Sequence, residues 1–414
     1  MSTKFSQKTR SGWTFLEILT EDSPDDMAVL QLDFAGDMDE LAKEAIKHHG
    51  GLKHKRDSEA DHTAEPPPNA LAQPLVQEYP ILSLPKTGVA ETARYVLTMA
   101  PLHSELKSKA LPIAEGGWIA TNASCYGAKV KRNLEDMKAK GFTHIPWKGK
   151  VPVCVVDNQD RVVLVAAGQP NDPSYATDAE CMAELMLKMG ESTDWEKEEK
   201  HHGRGDYSYA DYGWSYGKGQ QQPQCLGGQR QEMMARFVNK PCTQRVAAFQ
   251  SASFALWFPK SYAEFHRQNL QLKEKIPTFE GNIKGSVYLC CTANCGPNSW
   301  THIHQDGLNC AGACCTVTSG GPFDPTKGGQ LIIWDLKLIF DFPPGSTILL
   351  PSALFRHLNI PIQKGEKRVS SPSTPLEAFI VGLSMEMLKE RPEHWRRVLE
   401  MFSTIDELRA GIIE

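Results

Sequence analysis

A histidine and an aspartate spaced as His304-Gln305-Asp306, a second histidine at His357 and an arginine at Arg368 constrain this chain more than any other feature. Together they require a fold that brings distant segments back to one point. Two imidazoles and one carboxylate on one face of an ion leave the opposite face open to other ligands. Trp300 to Asp306 reads as an extended segment, in which positions 304 and 306 project to the same side because a strand repeats every two residues. The third donor comes about fifty residues later. A jelly roll provides that return, since a strand of its facing sheet crosses back over the first.

The flanking sequence agrees with this placement. Gly328 to Leu338, GGQLIIWDLKL, reads as a buried strand, and Phe342-Pro343-Pro344-Gly345-Ser346 as a turn feeding a second apolar run, TILLPSALF, which ends just before His357. His357 is therefore expected at the end of a strand. Eleven residues on, Arg368 offers a planar, permanently charged fork that suits a carboxylate, and Ser370 adds a hydroxyl from the same face. Arg-x-Ser in this position points to a dicarboxylate such as 2-oxoglutarate. Taken singly, an H-x-D arises by chance, Arg368 is a surface cation and His357 a core histidine; their order and spacing argue for the joint reading. His302 lies on the same expected strand face as His304 and is its rival as ligand.

The stretch from Asn298 to Ser370, THIHQDGLNCAGACC through to GEKRVS, resembles the oxygenase core of fungal TET/JBP-type DNA dioxygenases. RVAAFQSASFALWFPK, from Arg245, is similar to the same family's lead-in, so the resemblance extends over residues 225 to 370. It implies an α+β chain with a double-stranded β-helix (jelly-roll) core wrapped by helices. It also implies Fe(II), 2-oxoglutarate and O₂ as requirements, with ascorbate stimulatory, and a methylated DNA base as substrate. On this expectation His304, Asp306 and His357 hold the metal and carry catalysis, and Arg368 and Ser370 hold the cosubstrate. The family also places a polar residue three positions after the aspartate to help read the base, and Asn309 stands there. Two departures concern base recognition. Between His357 and His394 the chain lacks the histidine that follows Arg-x-Ser in the family, and Val369 replaces an aromatic residue, before a strand interrupted by Pro372 and Pro375.

The expected chemistry is oxidation of a methyl group: 5-methylcytosine to hydroxymethyl, formyl and carboxyl forms, or demethylation of N6-methyladenine. Reaching such a group in duplex DNA requires extrusion of the nucleotide, at about a few kcal/mol. Asp335 is a second candidate reader, a carboxylate inside the apolar IIWDLKL that could accept from an exocyclic amine. The plainer reading bonds it to a neighbouring backbone amide or to Lys337. Gly328-Gly329 would let backbone approach a base closely, although a simple turn explains them equally. Two alternatives stand beside this reading: the same iron chemistry on a protein side chain or small molecule, and a non-catalytic DNA-binding relative.

Composition sets outer bounds. The 414 residues are 41% hydrophobic and 23% charged, enough for one large globular unit or two. No apolar run is long enough for a membrane span and no signal peptide is indicated, so a membrane-free protein is expected, and the resemblance to DNA dioxygenases implies a nuclear one. Eleven cysteines, an odd number, point to reduced thiols. Those from Cys290 to Cys315 read as buried thiols, since their spacing is not the C-x2-C of structural zinc. A net charge of −5 does not by itself indicate a DNA binder. The stretch Ala128 to Lys150 is the densest in lysine and arginine, and reads either as a phosphate track or as a solvated helix face followed by a loop. Lys53-His54-Lys55-Arg56 is too short to serve as a nuclear signal.

The organisation expected is a helix-rich amino-terminal region, 1–235, that contacts DNA and carries flexible loops at 57–78 and 200–230. A dioxygenase core, 236–385, and carboxy-terminal helices, 386–414, follow. Within these, Pro152 to Gly168 reads as a hairpin, Thr177 to Met189 as a helix stopped by Gly190, Phe258 to Ile276 as a helix packing Tyr262, Phe265 and Leu272, and Arg391 to Leu408 as a helix broken near Ser403. The 201–230 segment interleaves Arg204, Tyr207, Tyr209, Tyr212, Trp214, Tyr216 and Lys218. It reads as a base-stacking surface or as a loop over the mouth of the jelly roll.

Overall fold

The computed structural model describes residues 95–413 apart from 112, 114–129, 171, 216–223, 227, 277, 278, 280–282, 308, 375–395 and 397. The 57–78 loop, the Lys53–Arg56 cluster and the start of the expected 391–408 helix lie outside the described residues.

Two open, largely antiparallel sheets organise the chain. The larger has nine strands in the order β1-β3-β4-β11-β8-β13-β7-β5-β6. In sequence these are β1 (Leu102–His103), β3 (Val153–Val156), β4 (Val162–Gly168), β5 (Ser208–Ser215), β6 (Gln224–Leu226), β7 (Cys290–Gly296), β8 (Cys315–Gly320), β11 (Thr347–Leu350) and β13 (Val369–Thr374). The smaller sheet runs β12 (His357–Asn359), β9 (Leu331–Ile333), β10 (Leu338–Phe340) and β2 (Thr143–Ile145). One apolar cluster joins them, with Leu331, Ile333 and Phe340 from the smaller sheet against Leu164, Ile348 and Leu350 from the larger. Every residue of β4, VVLVAAG, is buried, as expected of a strand covered on both faces, where period-two alternation disappears.

Helices cover the larger sheet. Helix α2 (Pro173–Ser192), α4 (Pro241–Trp257) and α5 (Pro259–Lys275) are the long ones; α1 (Leu134–Ala139), α3 (Gln231–Val238) and α6 (Ile405–Ile413) are shorter. Helix α2 begins a turn before its expected start, because the Asp172 side chain accepts from the Ser174 amide and Pro173 fits the first turn. Gly190 does not stop it. A Cβ there would sit 2.6 Å from the Cys295 carbonyl oxygen, so the glycine is where α2 touches β7. Helices α4 and α5 are separate because Pro259 cannot occupy a helix interior, and Phe258 between them leaves the helical region at φ −134°. Gln250 of α4 donates to Thr318 Oγ1 at 2.9 Å and to the Ser371 carbonyl at 2.8 Å, and accepts from Ser373 Oγ. That bracing sits where β13 runs through Pro372 without the expected interruption.

Three other expectations change. GGQLIIWDLKL is not one strand: β9 and β10 pair with each other across the turn Trp334–Leu336, closed by Lys337 at φ +50°. His357 begins β12 instead of ending a strand, since TILLPSALF leaves β11 at Pro351 and turns before it. The 201–230 segment contains β5, paired with β7 from Ser208 to Gly213, and β6, so a large part of what is described of it is sheet and not a free loop. The hairpin within 152–168 and the α5 packing residues Tyr262, Phe265 and Leu272 are found as expected.

Candidate metal centre

His304 and His357 come together through the shortest possible ladder. Each donates its backbone N–H to the other's carbonyl, at 3.1 and 2.9 Å, in an isolated antiparallel bridge. Trp300 to Asp306 is therefore not an extended strand, and period-two alternation is not what aligns 304 with 306. Asp306 is placed by its own backbone N–H, which donates to the Ser352 carbonyl at 3.0 Å. The fold achieves by two local anchors what the sequence suggested through one strand.

Both imidazoles are oriented by the same device. His304 Nδ1 lies 2.7 Å from the carbonyl oxygen of His302, and His357 Nδ1 lies 3.0 Å from that of Phe355, each two residues upstream. A carbonyl only accepts, so each Nδ1 carries the proton and each Nε2 is left with its lone pair. The two Nε2 atoms stand 3.8 Å from separate oxygens of Asp306. That is too far for a hydrogen bond, and one donor atom from each of the three groups lies within 4.8 Å of the others. Burial holds the His304 imidazole neutral down to about 3, reinforced by the neighbouring His357. Burial alone would raise the Asp306 carboxyl, but His304, His357 and Arg204 outweigh it and keep the group ionised. Two imidazoles and one carboxylate, with their donor atoms converging, fit a divalent cation of the iron type. His302 is not part of the group: it is buried, and packs edge-on against Trp300 at 4.6 Å.

The same pocket contains a second feature. It has a cavity volume of about 50 Å³, is partly open to solvent, and is lined by His304, Asp306 and His357 together with Arg204, Tyr207, Asn294, Arg368 and Ser370. Arg368 is 1% exposed. Its Nη1 donates to the Ser299 carbonyl at 2.6 Å, and its guanidinium lies 5.9 and 5.8 Å from the ring centres of Phe323 and Phe342. Its Nε has no acceptor among the described residues. Burial pulls this group down to about 10. A buried cation without a countercharge is costly, so this end of the pocket fits an anion. Strand alternation aims Arg368 and Ser370 inward, while Val369 between them packs into the cluster of α2 and α4. The replacement of an aromatic residue by Val369 thus falls on the helix side of β13.

The remaining candidates are placed differently. Asn309 Nδ2 donates to Ser352 Oγ at 2.8 Å, and the Ser352 hydroxyl helps hold Asp306 ionised. Asn309 lies behind Asp306 and does not line the pocket. Asp335 receives the Arg356 backbone N–H at 2.6 Å and Arg356 Nε at 2.9 Å. It is tied to the residue preceding His357 and also does not line the pocket. Gly329 holds φ +77°, and a Cβ there would sit 2.6 Å from the Phe323 ring and 3.3 Å from Arg368 Cδ, so the glycine makes room first for the Phe323 ring that covers Arg368.

Sequence reasoning placed Tyr207 and Arg204 in a segment read either as a base-stacking surface or as a loop over the mouth of the jelly roll, and did not single them out as pocket residues. The signal available was their position just before β5, the neighbour of β7. Arg204 is held protonated against the cost of burial by Tyr207, Asp306 and Asp211. The cysteines from Cys290 to Cys315 are buried and not joined in disulfides, and among the described residues only His304, Asp306 and His357 form a potential metal group. No described helix is long and apolar enough to cross a membrane.

The pocket thus defines a candidate metal and anion centre on a mixed α/β fold. No family model matches the chain, and no curated protein matches it. Among solved structures, NgTET1 in complex with 5mC DNA aligns with a TM-score of 0.42 and 12% identity, over 57% of this chain and 82% of that one. The functional reading is carried by the residues of the pocket and not by that distant likeness.

Proposed function

We propose that this chain is an Fe(II)- and 2-oxoglutarate-dependent dioxygenase, built on a double-stranded β-helix core, that oxidises methyl groups of modified bases in DNA. One observation carries the oxygenase reading: a convergent His304-Asp306-His357 group and the buried, anion-seeking Arg368 share a single pocket. With iron and 2-oxoglutarate bound, the centre supplies oxidation of an unactivated C–H bond by O₂, coupled to decarboxylation of the oxo acid to succinate and CO₂.

The chain's own residues do simpler work. His304 and His357 present Nε2 lone pairs with no proton to displace, because the carbonyls of His302 and Phe355 hold the protons on Nδ1. Asp306 contributes the charge, and Ser352 and Asn309 keep its carboxylate in place. Arg368 and Ser370 hold the distal carboxylate of the cosubstrate, and Phe323 and Phe342 keep water from that guanidinium. No side-chain acid, base or nucleophile is needed.

The DNA substrate rests on the resemblance of 298–370 to TET/JBP enzymes, and a nuclear protein that extrudes a methylated nucleotide from duplex DNA follows from it. A second reading, in which the substrate is a protein side chain or small molecule, is favoured by one observation. Asn309 and Asp335, the two expected base readers, are both engaged away from the pocket. Nucleoside mass spectrometry separates the two. Duplex DNA carrying 5-methylcytosine or N6-methyladenine is incubated with protein, Fe(II), 2-oxoglutarate and ascorbate, beside a His304→Ala/Asp306→Ala control. Oxidised methylcytosine or restored adenine, absent from the control, is the expected result. Succinate with both bases untouched overturns the DNA assignment and leaves the iron chemistry standing.

A further inference from the structure

Tyr207 is 4% exposed, lines the pocket and has a hydroxyl with no hydrogen-bond partner among the described residues. Leaving a buried hydroxyl unpaired costs free energy, and here the deficit sits beside another. Arg368, which lines the same pocket, has an Nε without an acceptor among the described residues. Tyr207 in turn lies in the field of Arg368, Arg204 and Asp306. Two buried donors without an acceptor among the described residues face one pocket. Ser370 completes the set: its Oγ accepts from Asn294 Nδ2 at 3.0 Å, which leaves the hydroxyl proton free to be donated.

We propose that Tyr207 is a positioning residue for the cosubstrate, its hydroxyl donating to the same distal carboxylate that Arg368 and Ser370 hold. The inference rests on the 2-oxoglutarate reading above and deepens it. A carboxylate offers two oxygens with about four lone-pair sites, so three donors can be satisfied together. The phenol is held in place by its ring, which packs edge-on against His202 at 4.6 Å. Burial pushes the hydroxyl up to about 12, so it remains protonated and a donor at any working pH.

The contact explains why the chain carries Tyr207 immediately before β5. That strand pairs with β7, which carries Asn294, and β7 pairs with β13, which carries Ser370. Three neighbouring strands thus present Tyr207, Asn294 and Ser370 to one end of the pocket, and Arg368 is presented by the residue leading into β13. The metal-binding histidines lie outside this set of strands. The sheet therefore separates cosubstrate recognition from metal binding.

The test uses the full-length protein and its Tyr207→Phe variant, which removes only the hydroxyl. Anaerobic titration of the Fe(II)-loaded protein with 2-oxoglutarate, followed by the visible absorption of the complex, gives the dissociation constant. The same titration is repeated with 2-oxobutyrate, which lacks the distal carboxylate. The expected result is a loss of affinity for 2-oxoglutarate of about ten-fold or more, the effect of one hydrogen bond to a charged group. Affinities for iron and for 2-oxobutyrate are expected to be unchanged. In turnover the KM for 2-oxoglutarate rises while kcat is retained. Equal 2-oxoglutarate affinity in the two proteins overturns the role of Tyr207 and leaves the proposed function intact. An equal loss for both oxo acids overturns it too, because a general disturbance of the pocket would then be the cause. Wild-type protein that takes iron but no 2-oxoglutarate overturns the proposed function itself.

Discussion

The two ends of the pocket solve opposite problems. At one end His304, Asp306 and His357 are set by backbone hydrogen bonds, and the surrounding groups outweigh burial so that Asp306 stays ionised. At the other end Arg368 is enclosed by Phe323 and Phe342 with no acidic partner among the described residues, and Tyr207 adds a second donor without an acceptor among them. The first end resembles a finished structural cluster. The second holds a deficit that only a ligand relieves. The difference teaches where to look for a binding function: a convergent ligand set also occurs in structural sites, whereas a buried unpaired guanidinium is unfavourable unless an anion arrives.

Four measurements break or sharpen this contrast. Asp306→Ala has the largest effect. It removes the one charged donor of the metal end, and iron affinity measured by equilibrium dialysis is expected to fall more than about a hundred-fold, beyond the usual loss for an outer contact. Retained iron binding would mean the ion lies elsewhere. Arg368→Met comes next and should act in two directions. Affinity for 2-oxoglutarate is lost, while the ligand-free protein unfolds at the same or a higher denaturant midpoint, by about 1 kcal/mol, because an uncompensated buried cation is gone. A destabilised variant would show that Arg368 is already paired in the free protein.

Asp335→Ala tests a smaller, structural contribution. Its carboxylate receives both the side chain and the backbone N–H of Arg356, next to His357. Loss of about 2 kcal/mol of stability is expected in urea unfolding, with base selectivity unchanged. A change in which base is oxidised, at unaltered stability, would return Asp335 to the substrate. The last effect is a slope. An unfolded histidine takes up its proton near 6.5, whereas His304 in the fold resists protonation down to about 3. The unfolded state therefore binds more protons between those values, and stability of the metal-free protein falls as pH is lowered through that window, at up to about 1.4 kcal/mol per pH unit. Urea unfolding between pH 6.5 and 4.5 should show a shallower slope for His304→Asn. Identical slopes would mean that His304 is not held neutral.

The site was legible in outline because its donors are chemically rare and their order along the chain is informative. His304, Asp306, His357 and Arg368 were all found from spacing, and all four line one pocket. The route to that pocket was not legible. The sequence suggested that alternation along one strand aligned 304 with 306, but the alignment comes from the His304–His357 bridge and the Asp306–Ser352 contact, whose partners are about fifty residues away in the chain. Asn309 and Asp335 carried polar groups in plausible positions, and only the packing shows that Ser352 and Arg356 already occupy them.

By itself, the sequence determined the donor set, the separate α5 helix that begins at Pro259, and the hairpin within 152–168, because each depends on local chemistry: a ligand's identity, a proline's missing N–H, a turn's polar residues. The tertiary structure alone decided that Tyr207 belongs to the pocket, that Gly190 is a contact and not a helix stop, and that Arg368 has no countercharge among the described residues. Those facts depend on which strands become neighbours and on what is excluded from the space between them. No local pattern records either.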